Sequence, residues 1–230
     1  MSEDAVDIQL LHEAVAWEDF EKALRNENRY APLAGDYFRT LVDECLACTY
    51  ELSSGARLFR ARINPPARGG EPLPIEEMGA PPTTAATNQR LNPEGIPYFY
   101  TALDEKTAIA EVRPWTGAWV TVAQFATRYA LPIVDLTAQH SAPSRRAKFV
   151  GFIVGYPVHR DDRLAYVGSQ CLAEHLKAAG RAGIQYRSSL RANGTNVALF
   201  SQDHVLTTGA PVPHEVLSVD YKTIDVPEDD

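Results

Sequence analysis

The chain has 230 residues, 45% of them hydrophobic and 23% charged, which is enough to bury a substantial core in one domain with extensions. Its formal charge of −8 argues against broad binding to nucleic acid or to an anionic membrane surface, because both need a cationic face. No apolar run approaches a membrane span, the first residues lack the basic and apolar regions of a signal peptide, and three cysteines suit a reducing compartment, so a cytoplasmic protein is expected.

Residues 5–25 place Val6, Leu10, Ala14 and Trp17 at helical spacing. A second helix is predicted over 37–52, ending at Gly55, with Phe38, Leu41, Val42, Cys45 and Cys48 on its apolar face. Cys45 and Cys48 form a C-x-x-C, but no second cysteine pair, no histidine pair at ligand spacing and no preceding strand accompanies it. The pair reads as core packing, and no metal site is expected. The two helices make an N-terminal extension, residues 1–55.

Residues 57–63 alternate as a strand, with Phe59 and Ala61 on one side and Leu58, Arg60 and Arg62 on the other. Arg57, Arg60, Arg62 and Arg68 form a local cationic cluster in an acidic chain. It is either a solvated strand edge with scattered ion pairs or a pyrophosphate site, since guanidinium grips phosphate through two parallel hydrogen bonds. Six prolines and three glycines between Asn64 and Thr87 exclude a helix or central strand, and predict a long loop that is a lid or simply mobile.

Residues 92–95 (Asn-Pro-Glu-Gly) are a turn, and residues 96–101 alternate as a strand, with Tyr98 and Tyr100 on one face and Phe99 on the other. Asp104 is placed to cap a helix carrying Ala108, Ile109 and Val112, which Pro114 stops. Glu111 falls in its last turn, where a carboxylate meets the negative end of the helix dipole at a cost of roughly a few tenths of a kcal/mol. That misplacement is a first hint of function. Residues 119–125 and 130–136 read as strands, the second placed at an edge or bulge by Pro132. Residues 145–156 are mixed and take no assignment. Residues 166–179 are a helix with Gly180 at its C-cap, and His175 beside its apolar face reads as structural. Residues 182–189 are a strand with Ile184, Tyr186 and Ser188 on one face. Residues 196–201 and 215–221 are further strand candidates, and residues 223–230 form an acidic tail expected to be disordered. Strands cluster after residue 57 without regular βαβ alternation, so an α+β fold is expected rather than a doubly wound parallel sheet.

The stretch QRLNPEGIPYFYTALDEKTAIAEV, residues 89–112, resembles the central block of the RES-domain family, named for its Arg, Glu and Ser. Upstream LFRAR (58–62) and downstream YRSS (186–189) resemble that family's other two blocks, in the same order, so the likeness covers roughly residues 57–200. Gln89 stands where the family usually has Gly, and Leu91 where a Trp is common; neither departure removes a charged or catalytic group. The resemblance implies an ADP-ribosyltransferase-like domain over residues 56–222, with a mixed, split β-sheet and flanking helices. It implies NAD⁺ as substrate and the role of toxin in a bacterial toxin–antitoxin pair, held by a cognate antitoxin with an Xre-like helix-turn-helix domain. Residue by residue, it implies Glu111 as the catalytic carboxylate, Arg60 and Arg90 on the phosphates, Tyr100 against the nicotinamide ring and Ser188 as a polar contact. Glu111, Arg60 and Ser188 are then the catalytic set, and Arg60, Arg90, Tyr100 and Ser188 the NAD⁺-binding set. Arg62, Tyr98 and Ser189 are near neighbours. The acceptor of ADP-ribose, a protein, water or phosphate, stays open.

These residue types suit that chemistry. Nicotinamide leaves a cationic pyridinium as a neutral molecule, so positive charge develops on the ribose, and a fixed carboxylate beside it lowers the barrier. Arginines on the pyrophosphate keep the ribose from drifting, and an aromatic face can hold the leaving ring. No G-x-G-x-x-G follows a strand, no P-loop lysine motif occurs, and Ser188 lacks a His/Asp pair and a nucleophile elbow. Two other readings remain: a degenerate family member that only binds a partner, against which the intact Arg, Tyr, Glu and Ser set argues, and a sugar hydrolase, which needs a second matched carboxylate.

Overall fold

A computed structural model describes residues 3–29, 36–156 and 164–220, with backbone alone for 3–10. Helix α1 (Glu3–Asn26) turns Trp17, Phe20 and Leu24 inward, and α2 (Asp36–Ala47) turns Phe38, Leu41 and Cys45 onto the same core. Phe20 stacks on Phe38 with ring centroids 4.6 Å apart. The side chains of Val6 and Leu10 lie outside the described residues. Cys45 and Cys48 are free thiols buried in this core.

The second helix is shorter than its apolar spacing suggests. Thr49–Leu52 is strand β1, paired antiparallel with β5 (Leu131–Asp135) from Thr49↔Val134 to Leu52↔Leu131. Thr49 and Tyr50 favour a pleated, half-buried surface, and the partner that supplies their hydrogen bonds is remote in sequence. The remaining strands are β2 (Arg57–Ile63), β3 (Phe99–Ala102), β4 (Trp119–Thr127), β6 (Gly183–Arg187), β7 (Thr195–Leu199), β8 (Val205–Thr207) and β9 (Val212–Glu215). Their order is β1-β5-β6-β7-β3-β2-β4-β8, with β9 also on β4. Among these pairs β5–β6 alone is parallel, so the fold is α+β on a mixed sheet.

Pro132 sits on an inner strand, not at an edge. Asp135 donates its N–H to Cys48 on the β1 side, so Pro132, three residues back, turns its nitrogen to the other side. There the β6 ladder begins only at Ile133↔Gly183, and the missing N–H forfeits no ladder bond. Residues 145–156 contain α4 (Arg145–Gly155), capped by Ser144, whose Oγ accepts from Ala147 N–H at 3.1 Å. Helix α5 (Val167–Ala178) ends before Gly180, whose φ of 79° is the left-handed geometry of a helix stop. The last strand lies earlier than predicted, at Val212–Glu215 rather than 215–221, because β4 offers its ladder to Val212 through Glu215. Residues 216–220 are not strand, and Tyr221 and the acidic tail lie outside the described residues.

Helices α1, α2, α4 and α5 cover one face of the sheet around Tyr98, Val134, Ile184, Tyr186 and Ala198. The opposite face buries Leu58, Phe99, Phe125, Ile133 and Leu199 beneath the proline-rich segment, which inserts Leu73 and Met78. That segment is a chain of short 3-10 turns at Pro66–Arg68, Ile75–Met78 and Thr83–Ala85. Asn64 Nδ2 ties it down by donating to the carbonyls of Gly69 and Glu71.

Strand β2 pairs with β4 along its whole length but with β3 only at Phe59↔Ala102. The sheet is therefore two wings that diverge from a single shared pair.

Candidate active site

A cleft of about 1380 Å³ opens where the wings part, and Arg60, Arg62, Arg90, Tyr98, Tyr100, Glu111, Tyr186 and Asn196 are on its walls. Helix α3 (Glu105–Glu111) brings the carboxylate. Asp104 Oδ1 caps its start by accepting from Thr107 N–H at 2.9 Å. Ala108, Ile109 and Val112 then pack on Ala61, Ala102, Val120 and Val122, which turns Glu111 to the cleft. Glu111 Oε1 accepts two hydrogen bonds, from Ser188 Oγ at 2.6 Å and from Asn196 Nδ2 at 2.7 Å. These donors offset the unfavourable dipole at the helix end and fix where the carboxylate points.

Ser188 follows β6 and is not itself on the cleft wall. Its Oγ also accepts from the N–H groups of Leu190 and Arg191 at 3.1 and 3.2 Å, which sets the hydroxyl's direction toward Glu111. Arg191 of the same loop pairs with Asp104 and donates to Thr107 Oγ1 at 3.1 Å. Both ends of α3 are thus tied to the segment that carries Ser188.

Arg60 reaches into the gap between the wings. Leu103 bonds across to β7, so alternate residues of β3, Tyr100 included, turn their polar groups to β2. With the ladder interrupted there, Arg60 Nη1 donates to the Tyr100 carbonyl at 2.7 Å in place of a strand. Its guanidinium lies 5.3 Å from the Phe99 ring centroid, and its Nε is buried with no hydrogen-bond partner among the described residues. Burial, and next the neighbouring Arg62, push its pKa down to about 10. It stays cationic at neutral pH, as a half-buried charge ready for an anion.

Arg90 sits on a loop gripped by α5. Ser169 Oγ donates to Arg90 O at 2.6 Å, and Gln170 Nε2 donates to Asn88 Oδ1 and to the carbonyls of Gln89 and Asn92. Arg90 Nη1 donates to the carbonyls of Val154 and Tyr156 at the C-terminal end of α4, where the helix dipole favours a cation. The rings of Tyr166 and Tyr186 flank it at 5.8 and 5.9 Å. Part of its role is therefore architectural. Arg90→Ala is expected to lower unfolding stability by about 2–3 kcal/mol through loss of charge-assisted bonds, read as a lower urea midpoint.

Tyr100 is on the cleft wall, and its hydroxyl donates to Asn92 Oδ1 at 2.8 Å and accepts from Leu91 N–H at 3.1 Å. Burial raises its pKa, so it remains a phenol. Of the near neighbours, Arg62 lines the cleft and donates to Gly79 O, and Tyr98 lines it with its hydroxyl on Glu174. Ser189 is exposed and away from it. Sequence reasoning misses Asn196, Ser169 and Gln170, since a lone polar residue on a strand or helix carries no spacing signal. Among the described residues, no group of His, Cys, Asp or Glu could hold a metal ion, and no helix is long and apolar enough to cross a membrane.

Fold and site together define an α+β domain whose mixed sheet splits over a cleft bearing one clamped carboxylate and several arginines. Residues 52–222 match the RES domain, and the chain belongs to that family. A chain of the crystal structure of the M. tuberculosis MbcT-MbcA toxin-antitoxin complex is similar in structure, at 14% sequence identity and a TM-score of 0.45, covering 76% of this chain and 91% of that one. No curated protein matches the sequence.

Proposed function

We propose that this protein cleaves the nicotinamide–ribose bond of NAD⁺ and passes ADP-ribose to an acceptor, and that it does so as the toxin of a toxin–antitoxin pair. The observation that carries the reading is Glu111, a carboxylate held by two donors on the wall of the same cleft that holds a half-buried, under-bonded Arg60. In this mechanism Arg60, with Arg62 beside it and Arg90 elsewhere on the same cleft, takes the pyrophosphate, and Tyr100 flanks the nicotinamide. Glu111 stabilises the positive charge that develops on the ribose as the bond to nicotinamide breaks. The acceptor, a protein side chain, water or phosphate, then adds to the ribose carbon and gives up its proton.

The direct test is release of nicotinamide by the purified protein from labelled NAD⁺, with and without cell extract. Label on protein identifies a transferase, and free ADP-ribose or its phosphate identifies a degrading enzyme. NAD⁺ left intact in both arms refutes the reading.

Family membership supports the toxin role, and so does the proposed chemistry, because an unrestrained NAD⁺ consumer harms its cell. Inducing the chain alone is expected to arrest growth and deplete NAD⁺. Co-expression with an Xre-like antitoxin that closes the cleft is expected to restore both. Normal growth with abundant folded protein counts against it.

A further inference from the structure

Asn196 is 4% exposed on β7, directly across from Tyr186 of β6 and Ala102 of β3. Its Nδ2 donates to Glu111 Oε1, which fixes the amide's orientation, since a carbonyl oxygen turned to the carboxylate is repelled. The other end of the amide, Oδ1, is buried with no hydrogen-bond partner among the described residues. A buried acceptor left without a donor weakens folding. Its chain neighbours Thr195 and Val197 point to the opposite face of the sheet, and the group its own side chain meets is the Glu111 carboxylate. The unpartnered Oδ1 works against folding, and what the asparagine supplies in return is the hydrogen bond to Glu111.

We propose that Asn196 is a positioning residue for Glu111, acting with Ser188 to hold one carboxylate oxygen so that the other faces the ribose. The two donors come from different places, one beyond the end of β6 and one on β7, and converge on the same oxygen. A single donor leaves the carboxylate free to swing about that bond. Two donors stop the swing and leave Oε2, which has no hydrogen bond among the described residues, in one place. The inference rests on the NAD⁺ reading for what Glu111 does; that Asn196 holds Glu111 stands apart from it.

The test compares wild type with Asn196→Leu and Asn196→Asp by melting temperature, crystal structure and steady-state nicotinamide release. Asn196→Leu removes the unpartnered acceptor and the donor to Glu111 together, effects that oppose each other, so its melting temperature is expected to stay close to wild type, with the Glu111 carboxylate displaced or in several conformers. Its kcat is expected to fall about 10- to 100-fold from misplacement of a preorganised group. KM is expected to hold, because Asn196 acts through Glu111 and not on the substrate. Asn196→Asp sets a second carboxyl against Glu111 Oε1 and is expected to melt below wild type and, at a pH where both are ionised, to push the Glu111 carboxylate from its place and lower kcat as well. A Glu111 that stays in a single, unmoved conformer in both variants overturns the proposal, as does wild-type kcat or a rise in KM alone. If wild type itself releases no nicotinamide, the NAD⁺ reading falls, and the variant structures alone decide whether Asn196 holds Glu111.

Discussion

Glu111→Gln is expected to slow nicotinamide release about 10²–10³-fold, roughly 3–4 kcal/mol of lost transition-state stabilisation. The substitution is well suited to the question because of how Glu111 is held. Ser188 Oγ and Asn196 Nδ2 both donate to Oε1, and the carbonyl oxygen of glutamine can accept both. The side chain therefore keeps its place while the charge is lost and an NH₂ group replaces the second oxygen. KM for NAD⁺ is expected to change little, since the carboxylate works on charge that appears only as the bond breaks. Melting temperature is expected to stay close to wild type, because relief from the unfavourable dipole end of α3 offsets weaker hydrogen bonds to a neutral acceptor. Wild-type turnover in folded Glu111→Gln protein refutes the mechanism.

The elements written in the local sequence are those with their own punctuation. Helix α3 lies between Asp104 and Pro114, α5 stops at Gly180, and β4 is rich in β-branched and aromatic residues. Strand β1 is hidden because apolar residues keep helical spacing up to Cys48, while the pairing that makes Thr49–Leu52 a strand comes from β5. Helix α4 is hidden because Phe152 stands on its exposed side and the exposed Tyr156 follows its end, which blurs the apolar period, although Ser144 marks its start. The site divides in the same way. Arg60, Arg90, Tyr100 and Glu111 stand out through the family blocks, and they do line one cleft. Ser188 stands out too, yet it meets Glu111 rather than the open cleft. Asn196 does not, because its importance arises from a cross-strand pair and a helix end that meet only in the folded chain.

Arg60 is the second residue whose replacement is expected to have a large effect, and of a different kind. Its guanidinium is half-buried beside another arginine, with its pKa pushed down to about 10 by burial first and by Arg62 next. Keeping a cation there costs folding free energy, and its bond to the Tyr100 carbonyl only partly offsets that cost. In Arg60→Met the charge is removed and the stem volume largely kept, while the Tyr100 carbonyl loses its partner. These effects oppose each other, so the net change in stability is expected to be within about 1–2 kcal/mol. NAD⁺ binding has no such compensation. If Arg60 takes the pyrophosphate as proposed, that group meets a thioether in the variant, and loss of about 2–3 kcal/mol of charge-assisted bonding raises Kd roughly 30- to 150-fold. Because the proposed phosphate contact is made in the ground state as well, KM is expected to rise, in contrast to Glu111→Gln. Arg60→Lys sharpens the point. A single ammonium at the sheet split can serve the Tyr100 carbonyl or the phosphate but lacks the planar fork that reaches both, so it is expected to recover only part of the affinity. Titration calorimetry with NAD⁺ on the wild type and both variants, beside their melting curves, measures this. Unchanged NAD⁺ affinity in stable Arg60→Met protein removes Arg60 from the phosphate site and leaves it as a bracket between the two wings of the sheet.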